Sequence, residues 1–388
     1  MIKCSQIEKF IKIWYNKGGL GRLYLLPQSG YCMDKILELL EKYRCHLRRG
    51  TQSMADFLDS NFQDYINDVR QSIAVEDNPL VGNEMCKMIA DCVDEISTNA
   101  SDIVDVLRLY GNGKIVQASI KAFSVFDTMK PQLMQRYSGA YHTDVYYRIR
   151  GIGSNPFPLE RKELFHIPHS KNYLIGTERY SMPGHPCLYL ASQAELAWHE
   201  CGKPEKFAIA KFSIPQEEEN CLKFIDFSEK LMPLKHSFFC WFHNENDKEA
   251  VRKYLLKYIY TYPLRAACSV VVQHHGARFI EEYIIPQLLL QWVRNDEDFD
   301  GIRYESCSDS DEVKSYGGHN IVLMTKQFDT DGYDVKLREC IKIGVPEKFD
   351  INELKCDERL VDLLNGGELS SDPFLWGMES ISDDYQPI

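Results

Sequence analysis

Residues 176–200 read GTERYSMPGHPCLYLASQAELAWHE. A turn carrying Arg179 leads through Pro183-Gly184 into a short apolar segment, then into a helical pattern that ends on Glu200. Turn, strand and helix in so few residues place an arginine and an acid on neighbouring elements. Loops on a rigid scaffold are where chemistry concentrates. A planar cation beside an acid suits an anionic, phosphate-bearing ligand whose reaction develops positive charge. The block makes the fold a mixed one.

Upstream, apolar positions recur with helical spacing. Met33, Ile36, Leu37, Leu40, Tyr43 and Leu47 predict one helix face stopped by Gly50. Phe57, Leu58, Phe62, Tyr65, Ile66 and Val69 predict a second, and Met85 to Ile96 a third. Ile103 to Tyr110 predicts a fourth, broken by Gly111-Asn112-Gly113, and Lys114 to about Met129 a fifth before Pro131. Such stripes read as core packing. From about Asp144 the texture turns to strands: VYYRIR, HPCLYLAS, KFAIAKFSI, CLKFIDFS, CSVVVQHH and NIVLMTK. Helical stretches at 248–260 and 279–293 lie between them. This irregular interleaving predicts α+β and not a doubly wound parallel sheet. The expected division is a helical N-terminal domain at 1–140, a catalytic domain at 141–330, and a C-terminal extension at 331–388 ending in a loose acidic tail.

Composition narrows the function. The chain has 388 residues, 44% hydrophobic, with a formal net charge of −12. That charge argues against a general nucleic-acid partner, which needs a basic face. Thirteen cysteines without a CxxC pair fit reduced thiols in a cytoplasm and no zinc site. No apolar run of about 18 residues predicts a membrane span, and no leader is read. Neither GxGxxG nor GxxxxGK[ST] occurs, so the common nucleotide fingerprints are absent. Arg136 and His142 make an Arg-x5-His spacing that some ribonucleases use, set in a glycine-containing junction.

Five pieces of the second half occur in a telling order. Tyr147-Arg148 comes first, then Arg179-Tyr180 with Pro183-Gly184. Leu188-Tyr189-Leu190-Ala191 and Ala197-Trp198-His199-Glu200 follow, and Gly301-Ile302-Arg303-Tyr304-Glu305-Ser306 comes last. Together they resemble the RES domain family, named for its Arg, Glu and Ser, over roughly residues 144–327. Some larger RES proteins carry a helical N-terminal extension, and the segment before Tyr146 is similar to one.

The resemblance implies an ADP-ribosyltransferase-like fold with a split sheet and an NAD-consuming activity, as in toxins of toxin–antitoxin pairs. It implies NAD+ as substrate, no cofactor or metal, and an inhibitory antitoxin or regulatory protein as partner. Homo-oligomerisation or partner docking falls to the helical part. Glu200, Arg179 and Tyr189 become the catalytic candidates, and Tyr147, Arg148, Tyr180, Ser306 and Asn320 the NAD-binding ones. Chemistry agrees: cleaving the nicotinamide–ribose bond passes through an oxocarbenium-like cation that one carboxylate can face. Arg148 or Arg179 suits the pyrophosphate, and Tyr180 or Tyr189 the nicotinamide or ribose.

Each residue has a plainer reading. Arg148 alone is a strand arginine paired with an acid, Tyr189 a core residue, Ser306 a turn hydroxyl and Glu200 a solvated helix end. Transferases that modify arginine usually carry Glu-x-Glu, and here Trp198 stands two before Glu200. That favours consumption of NAD by water or phosphate over modification of a target. The alternatives are a mono-ADP-ribosyltransferase with a protein target and an inactive NAD-binding or interaction module.

Overall fold

The computed structural model describes residues 34–74, 78, 81–134, 145–153, 159–214, 222–228, 245–274, 276–308, 313, 318–351 and 381–388. Arg136, His142 and the acidic stretch from Asp372 to residue 380 lie outside them. The fold is α+β. Among the described residues five N-terminal helices come first: α1 (Lys35–Lys42), α2 (Met54–Ala74), α3 (Gly82–Ala90), α4 (Val93–Gly111) and α5 (Ile115–Leu133). Next come β1 (Val145–Gly151), α6 (Arg161–Leu164), β2 (Cys187–Ala191), α7 (Ala194–Glu200), β3 (Lys206–Ser213) and β4 (Phe224–Asp226). The helices α8 (Glu245–Tyr260), α9 (Tyr262–Cys268) and α10 (Ile284–Asn295) precede β5 (Gly301–Tyr304) and β6 (Asn320–Met324). The chain continues with α11 (Val335–Cys340), β7 (Lys342–Ile343) and β8 (Glu347–Asp350).

The eight strands form one sheet in the order β4-β5-β6-β2-β1-β3-β7, with β8 also on β3. Only β4 and β5 run parallel within it. β1 and β2 share a single registered pair, Tyr147 with Ala191. Both sheet faces are covered, so β6 reads as a continuous apolar run. Val322 and Met324 pack with the helices, whereas Ile321 and Leu323 pack with Leu164, Phe165, Leu337 and Ile341. A third cluster sets Ala194, Leu196 and Ala197 of α7 against Ile149 and Phe207. The first cluster holds side chains from both sides of residue 140, running from Ile36 through Phe126 to Leu289.

Several boundaries differ from the sequence reading. α1 stops at Lys42 instead of running to Leu47. Tyr43 turns into an edge contact with Tyr65 at 4.8 Å and donates its hydroxyl to Asp68 at 2.6 Å. The pattern Met85–Ile96 is two helices, parted at Asp91-Cys92. α5 continues through Pro131 because Met129 and Leu133 are both buried beyond the expected stop. The β-branched run after Cys268 is not a strand; it is irregular, and its Val271 N–H bonds the Leu47 carbonyl at 2.9 Å.

The C-terminal region is also more ordered than expected. β7 and β8 join the sheet, and residues 381–388 dock beside it. Ile343 and Gln386 exchange main-chain bonds, and Lys211 pairs with Asp383 at 2.8 Å.

Gly301 has a steric reason. A Cβ there would collide with the Val322 carbonyl oxygen of the neighbouring strand. Gly301→Ala must push β5 off β6, and it lowers stability by about 3 kcal/mol or more in urea unfolding, at the upper end of overpacking costs.

Candidate active site

Glu200 closes α7, a helix that starts three residues after the end of β2 and buries Ala194, Leu196 and Ala197. Its carboxylate reaches solvent, but one oxygen is fixed. Oε1 accepts from the Ser306 hydroxyl at 2.6 Å and from the Asn320 amide at 3.0 Å. Ser306 follows β5 by two residues, and Asn320 opens β6 as the partner of both Ala191 and Tyr304. Two donors, each more than a hundred positions along the chain from Glu200, therefore meet on one of its oxygens. Among the described residues Oε2 has no hydrogen bond. A carboxylate at a helix C-terminus meets the unfavourable end of the dipole, and two neutral donors offset that. Trp198 does not reach the carboxylate; its indole N–H caps the loop at the Pro204 carbonyl, 3.0 Å away.

The turn before β2 is a type II turn, with Pro183 and Gly184 at its centre, φ +71° at the glycine and His185 N–H bonded to the Met182 carbonyl. Just before it, Arg179 is buried, and among the described residues no acid pairs with it. It donates to the carbonyls of Cys268 (3.1 Å), Val270 (2.9 Å) and Glu282 (3.5 Å), and lies over the Tyr283 ring. Its donors serve the scaffold, which corrects the expectation of a pyrophosphate grip or a direct catalytic role. Tyr180 is corrected likewise: at 1% exposure it offers no face to a ligand, and its ring packs on Tyr304 at 4.6 Å. Tyr189 is half-buried and donates its hydroxyl to the Tyr180 carbonyl at 2.6 Å. Burial pushes the phenols of Tyr180, Tyr189 and Tyr304 well up, so all three are neutral.

Tyr147 and Arg148 leave opposite faces of β1. Tyr147 packs with the α7 cluster. Arg148 has a buried Nη1 with no hydrogen-bond partner among the described residues. Burial pushes its guanidinium down to about 10, and it is coupled to Tyr189 and to Cys201, the residue after Glu200. A buried cation without a partner is costly, and an anion supplied from outside would relieve it.

Two charged groups escaped the sequence reading. Arg303, within Gly-Ile-Arg-Tyr, forms a buried ion pair with Asp226 at 2.8 Å and donates to the Tyr146 hydroxyl at 3.2 Å. Glu178, immediately before Arg179, has its carboxyl pushed up by loss of solvation and by the charge of Glu200. An acid directly beside the motif arginine was the available signal.

No family model matches the chain, so the RES resemblance rests on the motifs alone. No solved structure gives a significant match. A protein of Bacillus subtilis (strain 168) named "Putative toxin YopC" is 28% identical over 342 residues, covering 85% of this chain and 74% of that protein.

The two arginines separate by stability. Arg179→Met strands three carbonyls and lowers stability by about 3 kcal/mol. Arg148→Met removes an unpaired charge and leaves the unfolding midpoint unchanged or higher. Chemical denaturation of the two variants checks this.

Proposed function

We propose that this protein cleaves NAD+ at the nicotinamide–ribose bond and depletes it, acting as a toxin or defence effector. The observation that carries the reading is the Glu200 carboxylate, with one oxygen held by Ser306 and Asn320 and the other available. As the bond from ribose C1′ to the pyridinium nitrogen breaks, its electron pair neutralises the ring and the positive charge moves to the ribose. The free oxygen of Glu200 faces that cation or its neighbouring hydroxyls, as carboxylates do in glycoside hydrolysis. Fixing Oε1 beforehand means that no reorganisation is needed when the charge develops.

Arg148 supplies the complementary end. Its unpaired Nη1 suits a pyrophosphate oxygen, because charge-assisted bonds to phosphate are the strong ones. Tyr189 lies between the two ends as a neutral, half-buried ring. The single contact pair between β1 and β2 agrees with a split-sheet, ADP-ribosyltransferase-like arrangement. The toxin name of the Bacillus subtilis relative agrees with a harmful activity and with an inhibitory protein partner.

Purified protein incubated with NAD+ is expected to release nicotinamide, followed by chromatography. Glu200→Gln lowers kcat by about three orders of magnitude, the range for losing one preorganised electrostatic group. Arg148→Ala raises KM at least ~10-fold, equivalent to about 1.4 kcal/mol of binding. NAD+ left intact by the wild-type protein rejects the reading.

A further inference from the structure

Glu200 stands at the far end of α7, and the near end of that helix is fixed to the strand that carries Asn320. Ser192 is the first residue after β2, one place beyond the registered pair of Ala191 with Asn320. Its N–H donates to the His319 carbonyl at 2.8 Å, as an antiparallel ladder requires. The returning bond is different. His319 N–H donates to the Ser192 hydroxyl at 2.8 Å, where a regular ladder would use the main-chain carbonyl. The side chain stands in for a ladder acceptor while the main chain turns out of the sheet into α7. Gln193, at the N-cap, gives the helix no side-chain bond, so the departure of α7 rests on Ser192 and on the packing of Ala194. Gly318 crowds the same point: a Cβ there would lie 3.0 Å from Ser192 Oγ and from Gln193 Oε1. His319 is itself braced. Its ring meets that of Tyr146 edge-on at 5.8 Å, with Nε2 3.4 Å from the Tyr146 hydroxyl. Arg303 donates to that hydroxyl at 3.2 Å and is held by Asp226 at 2.8 Å.

We propose that Ser192 is a positioning residue for Glu200, its hydroxyl holding α7 to His319 so that the carboxylate meets Asn320. The inference rests on the NAD-cleaving reading for its effect on rate, and on the hydrogen bonds alone for its effect on geometry. Both ends of α7 are tied to consecutive residues of one segment: Ser192 to His319, and Glu200 to Asn320 at 3.0 Å. With seven residues, α7 is only about 10 Å long, so a tilt at its start is carried to its end. Hydrogen bonds weaken steeply once the donor and acceptor move apart or out of line, and the bond from Asn320 is the first to be lost. Ser306 still holds Oε1 from another strand, so the loss is partial, but the carboxylate no longer has both donors to fix its direction. A reacting group displaced by about 1 Å costs up to ~100-fold in rate. Ser192 never touches the reacting atoms; it acts through the helix.

The test uses the full-length protein with Ser192→Ala and Ser192→Thr. Ser192→Ala is expected to lower kcat for nicotinamide release about 10-fold and to leave KM for NAD+ within ~2-fold of wild type, since the groups that bind the substrate are untouched. Ser192→Thr keeps the hydroxyl and restores most of the lost kcat. Crystal structures without substrate give the second readout. In Ser192→Ala the separation of Glu200 Oε1 from Asn320 Nδ2 opens beyond about 3.5 Å, past hydrogen-bond reach. In Ser192→Thr it stays at 3.0 Å. A Ser192→Ala enzyme with wild-type kcat overturns the proposal. So does a threonine variant as slow as the alanine one, or an alanine structure that keeps the bond between Glu200 and Asn320. If wild type releases no nicotinamide, the NAD reading fails by itself, and the two crystal structures still decide whether Ser192 positions Glu200.

Discussion

A guanidinium with no acid partner joins the sheet to the helical body. Arg179 leaves the turn before β2 and donates to carbonyls at and just beyond the C-terminus of α9. The last carbonyls of a helix lack intrahelical donors, and that end of the dipole favours a cation. One side chain therefore satisfies carbonyls that would otherwise be buried and bare. It also fixes the direction of its neighbours. Tyr180 is driven into the core, its carbonyl is presented to Tyr189, and Glu178 is left on the outer side. Glu282 extends the joint: its carbonyl takes an Arg179 bond while its buried carboxylate pairs with Arg49 at 2.8 Å. The helices before residue 140 and those after residue 245 consequently share one apolar cluster, with strand residues such as Val322 inside it. A second buried arginine reinforces the helical side, with Arg265 at 3.5 Å from the Tyr258 ring centre.

Much of this was legible in the chain. Period-two and period-3.6 patterns located β1, β2, β3, β6, α2 and α5, because each buries a face whose spacing is local. What local pattern could not reveal is where a partner overrides propensity. The β-branched run after Cys268 looks like a strand, yet its carbonyls are committed to Arg179 and its Val271 N–H to Leu47. Tyr43 continues a helical stripe, yet a tyrosine cluster with Tyr65 and Tyr262 takes it out of the helix. The acidic end reads as solvated tail, yet Asp383 and Asp384 meet Lys211 and Arg161, and Ile381 is buried.

The site divides in the same way. Residue type and order were enough to bring Glu200, Ser306 and Asn320 together. Sequence could not say which arginine is spent on the fold. Arg179 and Arg148 are equivalent as letters, but one has its donors taken by carbonyls and the other keeps a buried nitrogen unmatched.

These placements give the site a polarity of its own within a chain of net charge −12. Among the described residues Nη1 of the Arg148 guanidinium is unpaired, and the Glu200 carboxylate is met by a hydroxyl and an amide. Opposed charges attract, and the attraction strengthens wherever water is excluded from between them. On the proposed reading, the substrate matches that polarity: a pyrophosphate anion at one end and a pyridinium cation at the other. The field then favours the oxidised, cationic form over a reduced, neutral ring, because only the former gains from both ends. On the same reading it also favours the cation that forms on the ribose after the pyridinium charge is lost, so the acid that orients the substrate continues to act through bond cleavage.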